Sequence, residues 1–398
     1  MKDRIAIVVN TLSSGGAEKT ASNLSRQLSR KYEVDIIVND EEHLNYPYVG
    51  QVISLHMPPE KERMGAVYQT RALIRRVRLL GKLKKSRGYK ATLSFSEMTN
   101  LANVLSGGKT IISVHNSVNN SRTKDWKHRT ATAFILPLCF RRADKTVSCS
   151  KEIADVLINE YGLPKEKSFV IYNGIDIDAI RKKAAEPLTE LPFHDTDKLI
   201  VTAGRLVWEK GHWHLIKAVK RLLDDNIPAK LVILGDGGLR AALEELVEEA
   251  NLGNAVFLPG FVQNPYQYMA LSDVVVFPSM TEGFSNAIVE ALACGAAVVS
   301  TDHETGAREI LAPDTDYRAK VKDGIENVQY GILVPVCDGM LRHMSEPLTE
   351  KEELLSEAIR TVLFDPALKK HYREVSVNRV EPLELEKIAE EWSKLIEN

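Results

Sequence analysis

Residues 199–237, LIVTAGRLVWEKGHWHLIKAVKRLLDDNIPAKLVILGDG, decide the fold. An apolar strand, "LIVTAGRL", runs into a short polar turn. A helix, "HWHLIKAVKRLLDDN", follows, and a second apolar strand, "AKLVILGDG", closes the unit. Strands that are apolar throughout are buried on both faces, as in a parallel sheet covered by helices. The alternation continues through the helix "LRAALEELVEEANL" and the strands "AVFLPGF", "DVVVFP" and "AAVVSTD". It also runs upstream. "RIAIVVN" leads through "TLSSGG" to a helix "AEKTASNLSRQLSRK" and a strand "EVDIIVN", followed by "ATLSFS", "TIISVHN", "KTVSCS" and "FVIYNG". The Pro- and acid-rich stretch "AEPLTELPFHDTDK" (185–198) separates the two runs. The pattern predicts an α/β protein of two doubly wound, Rossmann-like parallel-sheet domains, 1–180 and 181–378, with a final amphipathic helix in 379–398 carrying Leu385, Ile388, Trp392 and Ile396 at helical spacing. Ligands of such sheets bind beyond the carboxyl ends of the strands, so the cleft that the two domains face is the expected active site.

A chain of 398 residues is long enough for two such cores. A hydrophobic fraction of 44% and a charged fraction of 27% are those of a soluble globular protein. The four cysteines, Cys139, Cys149, Cys294 and Cys337, form no C-x-x-C pair, which argues against zinc and against a disulfide framework and points to a reducing, cytoplasmic compartment. The chain opens directly into a strand, with no signal peptide expected, and the longest apolar run, "ATAFILPLCF" (131–140), is too short to span a bilayer.

The net charge of −2 hides an asymmetry. Residues 1–150 hold 25 Lys+Arg against 12 Asp+Glu, and residues 151–398 hold 27 against 42. The excess is densest in "KERMGAVYQTRALIRRVRLLGKLKKSRGYK" (61–90). That segment is either a solvated helix face or a contact for an anionic membrane surface. Nucleic acid is not expected, because no recognition module is present and aromatics do not interleave with the charge.

Chemistry concentrates at strand ends. "SSGGAEKT" is neither a Walker A loop nor G-x-G-x-x-G, but Gly15 and Gly16 at a strand-to-helix junction let a ligand approach backbone N–H groups. In "GRLVWEKGH", Arg205 and Lys210 flank a helix start, and two cations with a helix N-terminus suit a diphosphate. "LGDGGLR" is a second glycine-rich turn at the same edge. In "TEGFSNAIVEALACG" (281–295), Glu282 lies in a loop, Ser285 or Asn286 caps a helix, Gly295 ends it, and Glu290 is the one charge on an otherwise apolar helix. A carboxylate there is costly unless it is bound, and hydroxyls of a ribose or sugar would bind it. A dipole-complementing Glu282 and an internally paired Glu290 are the structural alternative. His115, in "ISVHN", ends a strand.

The ordered set "SGGAEK", "HN" at 115–116, "NGID" at 173–176, "GRLVWEKG", "GDGGLR" and "EGFSNAIVEALACGAAVVSTD" resembles the retaining nucleotide-sugar glycosyltransferases of family 4 (group 1), with the GT-B fold, over nearly the whole chain. The resemblance implies that 1–180 binds the acceptor, that 181–378 binds the donor and that the last helix crosses back to the first domain, where Trp392 helps couple closure. It implies that Arg205 and Lys210 hold the donor diphosphate and support its departure, that Glu290 holds the ribose hydroxyls, and that Glu282 lies at the sugar 3-hydroxyl. His115 falls close to the donor sugar, and Gly15 and Gly16 lie in the loop that approaches the diphosphate and the acceptor. Gly204, Asp236, Gly237, Val262, Gly283, Phe284, Ser285 and Asn286 complete the donor site, with the nucleobase near Gly260, Phe261 and Val262. Asn116 and Asn173 fall on the acceptor side. No cofactor and no metal are implied. The nucleotide-sugar is a cosubstrate, with UDP favoured by family habit.

Preorganised cations can stabilise the leaving diphosphate. In similar enzymes the acceptor attacks from the side that the diphosphate leaves, with a phosphate oxygen as base, so Glu282 is not given the double-displacement role of a retaining glycosidase. The start "SGGAE" and the segment "HETGAREILAPDTDY…YGILVP" look most like enzymes that build capsule, O-antigen or lipid-linked oligosaccharide at the inner face of the cell membrane, on a polyprenyl diphosphate carrier. One departure is Ala307, where many relatives have Pro. A soluble small acceptor, another reaction on the same fold (an epimerase, or a pyridoxal-dependent phosphorylase), and a non-catalytic nucleotide-sugar-binding protein are the competing readings.

Overall fold

The computed structural model describes residues 2–13, 15–42, 44–57, 66–115, 126–188 and 196–398, without the side chains of 66–67 and 126–133. The chain forms two compact units, Met1–Ile175 with Leu383–Asn398, and Asp176–Pro382.

The first unit runs β1 (Arg4–Val8), α1 (Gly16–Leu28), β2 (Glu33–Val38), β3 (Gln51–Ser54), α2 (Ala66–Arg87), β4 (Ala91–Phe95), α3 (Glu97–Leu105), β5 (Thr110–Val114), α4 (Trp126–Arg142), β6 (Lys145–Ser148), α5 (Lys151–Asn159) and β7 (Ser168–Val170). Its strands pair in the order β3-β2-β1-β4-β5-β6-β7, all parallel. Alternate residues of each strand point to opposite faces. Ile5, Ile7 and Val9 therefore pack with Leu24 and Leu28 on one side, and Ala6, Val8 and Ile37 pack with Leu80 of α2 on the other. Each fully buried Val, Leu or Ile among these contributes about 1.5–3 kcal/mol.

The second unit runs α6 (Ile177–Ala184), β8 (Lys198–Ala203), a 3-10 turn (Trp208–Lys210), α7 (His212–Asp224), β9 (Ala229–Leu234), α8 (Arg240–Glu249), β10 (Val256–Gly260), α9 (Tyr266–Leu271), β11 (Val274–Phe277), α10 (Asn286–Ala293), β12 (Val298–Thr301), α11 (Ala307–Leu311), β13 (Glu326–Val328), β14 (Gly331–Val334), α12 (Glu350–Phe364) and α13 (Pro366–Val380). Its sheet has the order β10-β9-β8-β11-β12-β14-β13. The edge strand β13 is antiparallel to β14, an exception to the otherwise parallel pattern. Two residues join these strands, and so short a link permits only a hairpin.

The last helix, α14 (Leu385–Glu397), belongs to the first unit and packs on α1. Its apolar stripe buries Leu385, Ile388, Trp392 and Ile396. The Trp392 ring lies 5.6 Å from Phe95, inside the first unit's core. The unit boundary falls at 175/176, ahead of the Pro- and acid-rich stretch. The reason is packing: α6 lies against α9, Asn264 Nδ2 donates to the Lys183 carbonyl (2.9 Å) and Glu186 Oε2 (2.8 Å), and Gln267 Nε2 donates to the Glu186 and Pro187 carbonyls (3.0 Å each). Residues 176–188 are thereby fastened to the second unit.

Candidate active site

Hydrogen bonds between turns hold three strand ends of the second unit together. Gly204 N–H donates to the Leu234 carbonyl (2.9 Å), Gly235 N–H to Gly260 (2.8 Å), and Leu206 N–H to Asp236 (3.0 Å). The ends of β8, β9 and β10 form one rim, with Gly204, Asp236 and Gly237 on it. Gly235 has φ +138°, and a Cβ there would stand 2.0 Å from the Gly204 oxygen, so this close approach admits only glycine. The exposed Asp236 carboxylate accepts from Gly237 N–H (2.8 Å), and Val262 follows two residues past β10. The neighbouring Phe261 ring is 82% exposed.

From this rim the chain turns through Arg205 to Lys210. Arg205 is exposed, and its guanidinium makes no ion pair among the described residues. Lys210 turns inward. Its ammonium donates to Glu282 Oε1, which also accepts from Ser279 Oγ (2.9 Å). Burial pushes the Glu282 carboxyl upward, but the Lys210 charge, the nearby His303 and these hydrogen bonds outweigh it, and the net direction is down. Glu282 is an ionised carboxylate in a largely buried setting.

The loop after β12 holds the backbone of Glu282. Thr305 Oγ1 donates to the Glu282 carbonyl. Thr305 has φ 65°, a left-handed conformation that is rare for a β-branched residue. The wholly buried His303 has Nδ1 3.0 Å from the Glu304 carbonyl and Nε2 3.2 Å from Ser285 Oγ. A carbonyl only accepts, so Nδ1 carries the proton and Ser285 donates to Nε2. This explains why Ser285, at the N-cap position of α10, makes no capping bond with its side chain. Burial lowers the His303 pKa, opposed by the Glu282 charge.

Phe284 and Ser285 are buried ahead of α10, Gly283 and Asn286 are half-buried, and Glu290 is buried inside the helix. Gly295, with φ 70°, follows the helix end. His212, the first residue of α7, is buried, and its pKa is pushed down to about 4, first by burial and then by the Lys210 charge.

The structure puts the remaining sequence candidates in the first unit. Gly15 is the N-cap of α1, with φ 119°, and Gly16 its first residue. Both follow β1. His115 follows β5 with Nε2 2.9 Å from Ser113 Oγ and its ring 5.6 Å from Phe95. Burial pushes its pKa down to about 4. Asn173 is buried in the segment after β7. Asn116 lies outside the described residues.

The rim, the inward lysine and the carboxylate paired with it stand together at the carboxyl edge of the second unit's sheet. Comparison with known proteins identifies the family. Residues 14–179 match the model of Glycosyltransferase Family 4, and residues 186–324 match that of Glycosyl transferases group 1. The chain is 31% identical, over 99% of both chains, to N-acetylgalactosamine-N,N'-diacetylbacillosaminyl-diphospho-undecaprenol 4-alpha-N-acetylgalactosaminyltransferase of Campylobacter jejuni. This chain belongs to the group 1, family-4 glycosyltransferases.

A second Campylobacter jejuni relative, an alpha-1,4-N-acetyl-D-galactosaminyltransferase acting on a GalNAc-containing diNAcBac-PP-undecaprenol, is 26% identical over 99% of this chain and 98% of its own. Among solved structures, Anabaena HepE in complex with UDP and glucose superposes with a TM-score of 0.74 at 17% identity over 99% of both chains, which shows the shared GT-B fold. In this glycosyltransferase, sequence reasoning missed Ser279, His303 and Thr305. The motif "TDHETG" was visible in the sequence, but the turn that folds it behind Glu282 was not.

Proposed function

We propose that this glycosyltransferase moves a hexosyl or N-acetylhexosaminyl group from a nucleotide-sugar, UDP being the favoured nucleotide, to a saccharide acceptor on a polyprenyl diphosphate, with retention of anomeric configuration. The bond between the anomeric carbon and the diphosphate oxygen breaks, and a bond from that carbon to the acceptor hydroxyl oxygen forms. The hydroxyl proton goes to the departing phosphate. Arg205 and Lys210 carry the charge that develops on the diphosphate, acting as preorganised cations rather than through a metal. Glu290 takes the ribose hydroxyls, Glu282 the sugar hydroxyl nearest the reacting face, and the nucleobase packs near Gly260, Phe261 and Val262. His115, neutral at physiological pH, serves as a hydrogen-bonding group of the first unit.

The observation that carries this reading is the Lys210–Glu282 pair. It holds a cation for phosphate and an anion for hydroxyls side by side and ionised, as the linkage between a diphosphate and a sugar requires. The lipid-linked acceptor is supported by the diphospho-undecaprenol acceptor in the Campylobacter relative's name. It is supported also by α2, which contains no Asp or Glu and presents Arg71, Arg75, Arg78, Lys82 and Lys85 on its exposed side. That spacing keeps the cations on one helical face, and an anionic surface attracts each by about 1 kcal/mol. No described helix is long and apolar enough to cross a membrane, so we read the association as peripheral, at the inner, cytoplasmic face, in the assembly of a surface polysaccharide or oligosaccharide.

The reading is tested by incubating the enzyme with single UDP-sugars and synthetic polyprenyl-diphosphate saccharides, and determining the product anomer by NMR. An α-linked product from an α-linked donor is expected. An inverted product, or transfer only to free saccharides, would reject retention or the lipid-linked acceptor respectively.

A further inference from the structure

Trp208 has no role in the chemistry described so far, yet it sits midway between Arg205 and Lys210. Its indole N–H donates to the Gly339 carbonyl at 2.9 Å. Gly339 has φ 72°, and a Cβ there would lie 2.6 Å from Trp208 Cζ2, so the ring rests directly on that backbone. Gly339 belongs to a segment, 335–349, that follows β14 without helix or strand. The middle of this segment is fastened to α7: Trp213 Nε1 donates to the Met340 carbonyl (3.1 Å), and the buried Lys217 Nζ donates to the His343 and Glu346 carbonyls (3.4 and 3.2 Å). Arg342 closes it with a two-pronged pair to Asp338 (2.9 and 2.7 Å). Beside Trp208, the Glu209 backbone carbonyl accepts from Met280 N–H (2.7 Å) and so joins the same turn to the stretch leading to Glu282.

We propose that Trp208 is a positioning residue: held by the 335–349 strap through Gly339, it sets the 3-10 turn so that Lys210 faces Glu282 and the diphosphate. A 3-10 turn of three residues has too few hydrogen bonds to hold a fixed shape alone, and a long lysine side chain loses much rotamer freedom when it is fixed. An external clamp on the middle of the turn supplies that order. The inference rests on the diphosphate role proposed above and adds to it Trp208 and, outside the quoted motifs, the 335–349 segment that holds it.

The test compares Trp208→Phe with the wild type by calorimetric titration of UDP and of UMP. Phenylalanine keeps most of the ring packing and removes the N–H donor. The expected result is an approximately tenfold loss of UDP affinity with UMP affinity changed less than twofold and an unaltered melting temperature. Equal loss for both nucleotides, or no loss for either, overturns the positioning role. Gly339→Ala, which presses on the indole from the strap side, should give the same UDP-selective loss if the phenylalanine variant folds poorly, and retention of full UDP affinity in that variant also overturns the inference. A wild type that binds UMP and UDP alike would instead remove the diphosphate role of Lys210, and the inference with it.

Discussion

The Lys210 ammonium and the Glu282 carboxylate form a direct ion pair, with less than a fifth of either side chain exposed. In the proposed reading, the lysine that meets the diphosphate is thus already engaged by a neighbouring acid. The two possible partners of Lys210 predict different variant phenotypes. In Glu282→Gln the ammonium is released toward phosphate while the sugar loses its acceptor. Turnover should fall about 100-fold, the scale of removing one preorganised electrostatic group, while UDP affinity holds within about twofold. In Lys210→Ala both should fall. Steady-state kinetics with UDP titration separates these outcomes, and parallel loss of UDP affinity in both variants would contradict the arrangement.

Glu290 lies on the inward side of α10, and as a ribose acceptor it would make charge-assisted hydrogen bonds of about 1.5–3 kcal/mol. Glu290→Gln should weaken nucleotide binding about tenfold or more with the melting temperature within about 2 °C. A large thermal loss with unchanged nucleotide affinity would return Glu290 to a purely structural role.

The acid side of the stability profile should be governed by histidines. His115 and His212 are held near pKa 4 in the folded chain, and an unfolded histidine titrates near 6.5. A depressed folded pKa means that the unfolded chain binds the proton first. The penalty is absent above about pH 6.5 and grows as pH falls toward about 4, reaching on the order of 3 kcal/mol for each residue. Urea midpoints at pH 7 and pH 5 should differ clearly in the wild type and much less in a His115→Gln/His212→Gln double variant. Equal losses in both proteins would contradict this assignment.

Much of this was legible in the sequence because strand ends fix where loops go. Once "LIVTAG" and "VVVFPS" are strands of one sheet, Arg205 and Glu282 must lie at its carboxyl edge, and the buried Glu290 follows from the apolar helix around it. The register of contacts beyond that edge was not legible. Nothing in the spacing between Lys210 and Glu282 says that the two side chains meet, since that depends on how the 3-10 turn and the segment after β11 lean together. His303 and Thr305 reach Glu282 through a turn whose left-handed Thr305 breaks the usual preference of a β-branched residue. The hairpin edge strand β13 was missed because three residues carry no detectable alternation. The unit boundary was displaced because α6, although it precedes the polar stretch, packs on α9.

The Gly235 turn gives a sharp structural prediction. A methyl group directed at the Gly204 carbonyl from 2.0 Å cannot be relieved by a rotamer change, because both partners are backbone. Gly235→Ala should separate the β8 and β9 ends, lower the melting temperature by several degrees and abolish transfer, whereas Gly238→Ala, with open space around its Cβ, should be nearly neutral. Similar behaviour of the two variants in thermal melts would contradict the rim geometry.

The proposed metal-independent nucleotide-sugar site on the second unit's rim is tested most directly by the melting temperature of the purified protein with UDP, GDP, ADP and a panel of their sugars, each with and without EDTA. A ligand that binds only the folded state stabilises it by about 2.7 kcal/mol at a hundredfold excess over its Kd. The account predicts a shift with UDP and with one UDP-sugar, the same in EDTA, and no shift in Lys210→Ala. A wild type unmoved by every nucleotide, or moved only when a divalent metal is present, would contradict it.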